Sequence, residues 1–218
     1  MDLRVGRTDM AASYWTVMAD VAIAMFVILA LHFIVQFLEN YQEQYVNRKL
    51  EERQEEVERA VRDGLTPEFS GTIEFESRAP NRQLITFSSD VLFAVCRADL
   101  TRRGADLLDQ LGDVLRGKHS YFEAIDVWGH TDRRPIADLG TCLFPSNWEL
   151  SSARATTVVR LLAGSSQIPP RKLSAVGWAE FHPVDATALD PNRRIEVHLT
   201  YDRYQLEAEL REPSAAGS

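Results

Sequence analysis

Asp20 is the first residue whose type and setting point to chemistry. It stands in YWTVMADVAIAMFVILALHFIVQFL (residues 14–38), an apolar run interrupted further on by His32 and Gln36. A carboxylate in a membrane-spanning helix costs roughly 2.5–3.5 kcal/mol on insertion scales. A chain that keeps one there compensates for it, and two compensations are open: the carboxylate takes up and releases an ion, or it hydrogen-bonds a neighbouring helix as static glue. His32 lies twelve residues on, about 120° round the helix, so a straight proton path down one face is not supported. It reads either as part of the ion path or as an interfacial or partner-facing polar group. A second group of residues lies in GHTDRRPI (residues 129–136) and FPSNWELSSARA (residues 144–155). The first follows a strand pattern and the second opens a helix, and a strand end meeting a helix N-terminus is a natural ligand site. Asp132 offers a carboxylate to an ammonium, and Arg154 offers a planar fork to a carboxylate. Together they suit a zwitterion such as an amino-acid head group; the alternative is a structural ion pair that holds a loop. His130 has no accompanying His, Cys or carboxylate at metal-ligand spacing, which leaves it a structural hydrogen bond. No Ser/His/Asp arrangement or phosphate-binding glycine loop is present, so neither an enzyme nor a cofactor is expected.

These residues must be carried by particular elements. The chain has 218 residues and a formal net charge of −8, with a pI near 5.2. That balance, without a long Lys/Arg block, excludes nucleic acid as the main partner. Two cysteines make neither a disulfide scaffold nor a metal site. The apolar run is long enough to cross a ~30 Å hydrocarbon core with some tilt, and it passes into LENYQEQYVNRKLEERQEEVERAVRDG with no small-residue cleavage site. An uncleaved anchor is expected, rather than a signal sequence or a buried core helix. Tyr14 and Trp15 sit where an interfacial aromatic pair would. Arg4 and Arg7 precede the span while Arg48, Lys49 and Arg53 follow it, so the positive-inside rule does not orient it.

Residues 39–63 are charge-rich helix formers, with Gly64 and Pro67 as a stop, and they extend the helix by roughly 35 Å. Val57, Ala60, Val61 and Leu65 make a weak apolar stripe, compatible with a solvated helix or with one packed on a partner; no sustained heptad is present. From residue 71 the elements shorten. TIEFES, RQLITF, EAIDVWG, KLSAVGW and RRIEVHLTY read as strands. Leu107, Leu108, Leu111, Val114 and Leu115 trace one helical face. Ser146 and Glu149 form a capping box for a helix carrying Leu150, Ala153, Val158, Leu161 and Leu162. The predicted fold is α+β: a mixed sheet with two main helices over one face, an α/β sandwich following the N-terminal helix and its stalk. The tail EPSAAGS has the composition of a disordered segment.

In order, GHTD, SNWELSSARA, GWAEFHPV and NRRIEV resemble the OmpA-like peptidoglycan-binding domain, in the variant of the flagellar stator subunit MotB. The resemblance covers roughly residues 80–200. It implies that Asp132 and Arg154 grip the diaminopimelate of the peptidoglycan stem peptide, with Asn147, Leu150 and Arg194 at supporting positions. The loop between Asp132 and Asn147 is longer than in short OmpA-like domains; RRPI and FPSNWELS resemble the stator branch, and ADLGTCLF matches no family pattern. SYWTVMADVAIAMF is similar to the stator B-subunit span, whose single aspartate carries the driving ion, although the second half of that span is altered here. The resemblance thus implies that Asp20 carries a proton or sodium ion, and that two copies of this chain work inside a MotA-like multispanning pentamer. ZorB of the Zorya antiphage system, with its ZorA partner, is similar in span and domain.

The implied organisation is a cytoplasmic N-terminus (residues 1–13), a transmembrane helix (14–38), a helical stalk and linker (39–79), a periplasmic OmpA-like domain (80–203) and a tail (204–218), in a bacterial inner membrane. In an oxidising periplasm, Cys96 and Cys142, which border the regions flanking the ligand loop, are candidates to pair. The rival expectation is a passive envelope tether that binds peptidoglycan without ion flow.

Overall fold

The computed structural model describes residues 5–69, 71–136, 142–164 and 168–211, with side chains from residue 14 onward. The first four residues, the ADLGT part of the long loop and the tail EPSAAGS lie outside the described residues. The chain forms two compact units, residues 1–45 and 46–218.

In the first unit, helix α1 (Val5–Gly64) begins. Between Gly6 and Gly64 it contains no glycine and no proline, so nothing in the backbone interrupts its hydrogen-bond ladder. It is long and apolar enough to cross a membrane. From residue 14 to residue 45 its side chains are exposed, with Ala30 alone half-buried. Asp20 and His32 are both on this exposed stretch.

The second unit is an α+β domain around a five-stranded mixed sheet of order β1-β2-β5-β3-β4. Its strands are β1 (Ile73–Ala79), β2 (Arg82–Ser88), β3 (Phe122–Gly129), β4 (Leu173–Gly177) and β5 (Arg194–Tyr201). β1 and β2 are an antiparallel hairpin; β5 runs antiparallel to both β2 and β3, and β4 is parallel to β3. The short α2 (Ser89–Leu92) and α3 (Arg102–Gly117) connect β2 to β3, and α4 (Asn147–Gly164) makes the crossover between the parallel pair, as parallel strands require. Alternate residues of the strands face the helices: Ile85 and Phe87 of β2, Ile125 and Val127 of β3, and Ile195, Val197 and Leu199 of β5 share one core with Leu107, Leu108, Leu111 and Leu115 of α3 and Val158 and Leu162 of α4. The intervening residues, Asp126, Trp128, Glu196 and His198 among them, take the opposite face by the period of two.

The segment 39–79 is not simply a stalk and linker. Val46, Leu50, Val57, Val61 and Leu65 are buried in the domain core. The Gln54 side chain donates to the carbonyls of Ala79 and Pro80 at 2.8 and 2.7 Å, and Lys118 pairs with Glu56. About five turns of α1 therefore belong to the domain, which begins near residue 46 rather than 80, and Ile73–Ala79 is its edge strand. The apolar stripe expected on this helix packs on a partner, and that partner is the chain's own core. The stripe is so diluted by charged residues that the sequence alone does not say what covers it. The C-terminal boundary also moves. Residues 203–211, expected to be mostly tail, form helix α5 (Arg203–Arg211) with Leu206 buried, and the Asp202 carboxylate accepts from the Gln205 backbone at 2.8 Å in its first turn.

Candidate functional site

Two glycines at strand ends bring the site together. A Cβ on Gly129, the last residue of β3, would lie 2.3 Å from the Ser151 carbonyl oxygen; one on Gly177, the last of β4, would lie 2.1 Å from Ser152 Oγ and 2.7 Å from its backbone nitrogen. Only glycine lets the second turn of α4 sit this close to both strands. Ser151, fully buried, locks the approach: its hydroxyl donates to the Trp148 carbonyl and accepts from the Ala179 backbone, both at 3.1 Å. Ser146 Oγ accepts from the Trp148 backbone at 3.2 Å and donates to Glu149, so the expected cap residues do engage one another at the start of α4.

The result is a cavity of about 170 Å³ where β3 ends, lined by Asp132, Asn147, Leu150 and Arg154. Four of the five residues expected of a binding site are thus together. Asp90, Arg134 and Arg193 line it as well. Asn147 straps the turn after β3, donating to the carbonyls of Asp132 (3.3 Å) and Arg134 (3.1 Å). Leu150 packs with Cys96 and Ile136 in a small apolar cluster against the cavity. Arg154 is buried and held by one segment: Nε donates to the Arg97 carbonyl (2.8 Å), Nη1 to Ser89 Oγ (2.8 Å) and Nη2 to the Ala94 carbonyl (3.3 Å). No carboxylate takes these bonds, and burial pushes its pKa down to about 10.

Asp132, by contrast, is surrounded by cations. Arg134 donates to it through Nη2 (2.7 Å), Nε (3.1 Å) and its own backbone N–H (2.9 Å), and Arg193 Nη1 lies 3.0 Å away. Burial alone would raise its pKa, but the bonds from Arg134 and then Arg193 hold it below the usual carboxylate value. Arg193 is shared among Asp90 (2.7 Å), Asp132 and Asp190 (2.9 Å). These partners, Asp90 first, keep its pKa above the usual arginine value.

Arg194 does not belong to this cavity. Its Nε donates to Glu196 at 2.6 Å and its Nη2 to the His182 carbonyl at 3.2 Å. Of the NRR sequence it is the preceding Arg193 that lines the site. That residue lies just outside the strand, where alternation no longer decides which way a side chain points. Asp90 carried no motif signal; Arg134 stood within the RRPI motif, two residues after Asp132, but without an assigned role. The ring of His130 does not make the expected structural hydrogen bond: both ring nitrogens are buried without a partner, and Nε2 is 3.6 Å from Glu196. Burial pushes the pKa of this imidazole below its usual value. Among the described residues no cluster of His, Cys, Asp and Glu could hold a metal ion. Cys96 and Cys142 are bonded as a disulfide with Cα atoms 5.3 Å apart, which ties the 94–97 segment that holds Arg154 to the segment leading into α4.

Residues 92–196 match the OmpA family. This chain carries an OmpA-family domain. The matched residues include β3, β4, α3, α4 and all of the cavity lining but Asp90, and exclude α1 and the β1–β2 hairpin. Over 118 residues, 52% of the chain, it is 33% identical to the YtxE protein and 30% identical to Motility protein B, both of Bacillus subtilis; those segments cover 46% and 43% of the two proteins. The chain thus matches somewhat less than half the length of these relatives. A MotB-like protein from Desulfovibrio vulgaris superposes with a TM-score of 0.62 at 28% identity, covering 72% of this chain and 99% of that one. The cell wall anchor of the T6SS from Pseudomonas aeruginosa does so with a TM-score of 0.55 at 31% identity, covering 65% and 97%.

Proposed function

We propose that the OmpA-family domain binds the amino-acid head group of a peptidoglycan stem peptide, diaminopimelate, through the cavity at the end of β3. The observation that carries this is that Asp132 and Arg154, opposite in charge and brought from separate elements, line one small cavity. A ligand carboxylate meets Arg154, whose guanidinium is held in place before binding by three backbone and hydroxyl acceptors; a ligand ammonium meets Asp132. Counting Asp90, Asp132, Arg134, Arg154 and Arg193, the lining offers both cations and carboxylates, so each charge of a zwitterionic head group finds an opposite one. The likeness to a cell wall anchor supports the same reading.

The test is titration of the full-length protein in detergent with free diaminopimelate, together with co-sedimentation with purified peptidoglycan. Arg154→Ala removes the charge-assisted pair and is expected to cost about 2–5 kcal/mol of binding. Arg154→Lys does not restore it, because an ammonium lacks the planar fork. Asp132→Asn weakens binding and lowers its salt dependence. Variants that melt like wild type and bind like wild type would place the ligand elsewhere.

For the whole chain we propose a single-pass subunit of the bacterial inner membrane. Its N-terminus is cytoplasmic and its OmpA-family domain holds the cell wall, so that an ion-driven motor can work against a fixed point. Asp20 carries the ion: taking up a proton removes its charge and releasing it restores the charge, and each proton crossing yields about 2.3 kcal/mol per 100 mV. Two copies inside a MotA-like or ZorA-like pentamer complete the motor, in flagellar rotation or in Zorya-type antiphage defence. The 31% identity to the T6SS anchor favours a second reading, a passive tether. Asp20→Asn separates the two: it abolishes motor output with the complex assembled, whereas a tether is indifferent to it.

A further inference from the structure

We propose that the Arg134 side chain is a built-in stand-in for the ligand's ammonium, bound to Asp132 and displaced when the ligand enters. The inference rests on the cavity being the head-group site. An ionised carboxylate offers about four acceptor positions. On Asp132 they face the Arg134 backbone N–H (2.9 Å to Oδ1), Arg134 Nε (3.3 Å to Oδ1 and 3.1 Å to Oδ2), Arg134 Nη2 (2.7 Å to Oδ2) and Arg193 Nη1 (3.0 Å to Oδ2). The Asp132 side chain is only 7% exposed, so a ligand ammonium needs one of these donors to leave.

The donors differ in what it takes to move them. The backbone N–H is fixed by the turn that Asn147 straps from the other side. Arg193 is held at once by Asp90, Asp132 and Asp190, and its side chain is 20% exposed. Arg154 is not on Asp132 at all, being committed to the 89–97 segment. The Arg134 guanidinium is different. Its side chain is 48% exposed, and among the described residues its hydrogen bonds go to Asp132 alone. It can leave into water on the cavity's open side with no other bond among the described residues broken. An exposed guanidinium therefore does the work of keeping a buried carboxylate ionised and paired, without closing the site.

This assigns Arg134 a role in specificity. A head group that carries an ammonium replaces the guanidinium with an equivalent donor and is admitted. A dicarboxylate without amines leaves Arg134 on Asp132 and gains from its positive charge, so Arg134 competes with a ligand ammonium, favours a ligand carboxylate, and narrows the site's preference between the two.

The experiment compares full-length wild type with Arg134→Gln and Arg134→Ala in detergent, titrated with diaminopimelate and with pimelate, its analogue lacking both amines. Arg133→Gln is the control. It removes the same charge one residue away, from a side chain that donates to the Ala186 carbonyl (2.6 Å) rather than to Asp132. The expected result is tighter binding of diaminopimelate by both Arg134 variants, up to about fivefold for a pair this exposed. Pimelate binding weakens in the same variants, and Arg133→Gln leaves both unchanged. Binding by the Arg134 variants where wild type shows none supports the proposal as well. Unchanged or weaker diaminopimelate binding, with wild type binding normally, overturns it and leaves the head-group site standing. No binding by wild type or by any variant overturns the head-group site itself, and the stand-in with it.

Discussion

Arg193 and Arg194 are neighbours in the chain and serve two different charge clusters. Arg193 joins the cavity cluster with Asp90, Asp132, Arg134 and Arg154. Two of its three carboxylate partners come from distant segments, Asp90 being 103 residues away and Asp132 61, while Asp190 is three residues away, and the group surrounds an open volume. Arg194 joins Glu196, His198 and His130. Here the two principal partners are two residues apart on one strand: Arg194 donates to Glu196 Oε1 at 2.6 Å and His198 Nε2 sits 2.8 Å from Glu196 Oε2. The Trp128 ring covers His198 with centroids 3.9 Å apart. Burial would raise the pKa of Glu196, but His130, His198 and Arg194 together hold it well below the usual carboxylate value. A cluster built along one strand is closed by residues two apart in the sequence; one drawn largely from distant segments surrounds a cavity that a ligand can enter. Buried charge by itself is therefore a poor guide to a binding site, and the openness around it is a better one.

Both clusters depend on one core, and removing part of that core gives the largest effect. A chain starting at residue 66 lacks Val46, Leu50, Val57 and Val61, each worth about 1.5–3 kcal/mol when fully buried. The sum is comparable to the whole stability of a domain. Such a fragment is expected to show no cooperative melt and no ligand binding, whereas one starting at residue 40 melts cooperatively and binds.

Breaking the closed cluster comes next. Arg194→Ala leaves Glu196 buried without its main partner and is expected to cost about 3–5 kcal/mol in stability, read by thermal melting. Diaminopimelate affinity of the folded protein stays within error of wild type. Loss of affinity without loss of stability would show that Arg194 serves the ligand after all.

Arg193→Ala is the mirror image. Its pairs are partly solvated, so stability changes by about 1 kcal/mol or less, while diaminopimelate binding weakens, up to roughly tenfold, because the cavity loses a lining cation that a ligand carboxylate can face.

The smallest effect is in the pH dependence of stability. His130 has a folded pKa below its ordinary 6.5, so it favours the folded state fully above that value, and its contribution is lost as pH falls from about 6.5 toward the depressed pKa. Glu196, also lowered, from 4.5, loses its contribution only below about pH 4.5. Melting temperature should therefore decline in two stages on acidification. His130→Gln removes the upper stage and, by taking away one of the groups that hold Glu196 low, weakens the lower one; an unchanged upper stage would assign it to another group.

Sequence by itself determined what depends on neighbours along the chain. The 14–38 apolar run, the alternation of RRIEVHLTY, the cap at Ser146 and the amphipathic face of α3 are local patterns, and the structure has an element at each. The motifs around Asp132 and Arg154 were legible too, since each sits at a strand end or helix start that local pattern predicts. Tertiary structure alone decided which of two adjacent arginines turns to the cavity, that Arg134 lies across Asp132, and that Arg154 is gripped by carbonyls rather than by a carboxylate. It also decided that the sparse stripe from Val46 to Leu65 is covered by the chain's own domain. Each of these is a contact between residues that the chain brings together only on folding, or an orientation at a strand's end where the period of two no longer applies. Side-chain types limit which partners are possible there, and the packing of α4 against Gly129 and Gly177 selects among them.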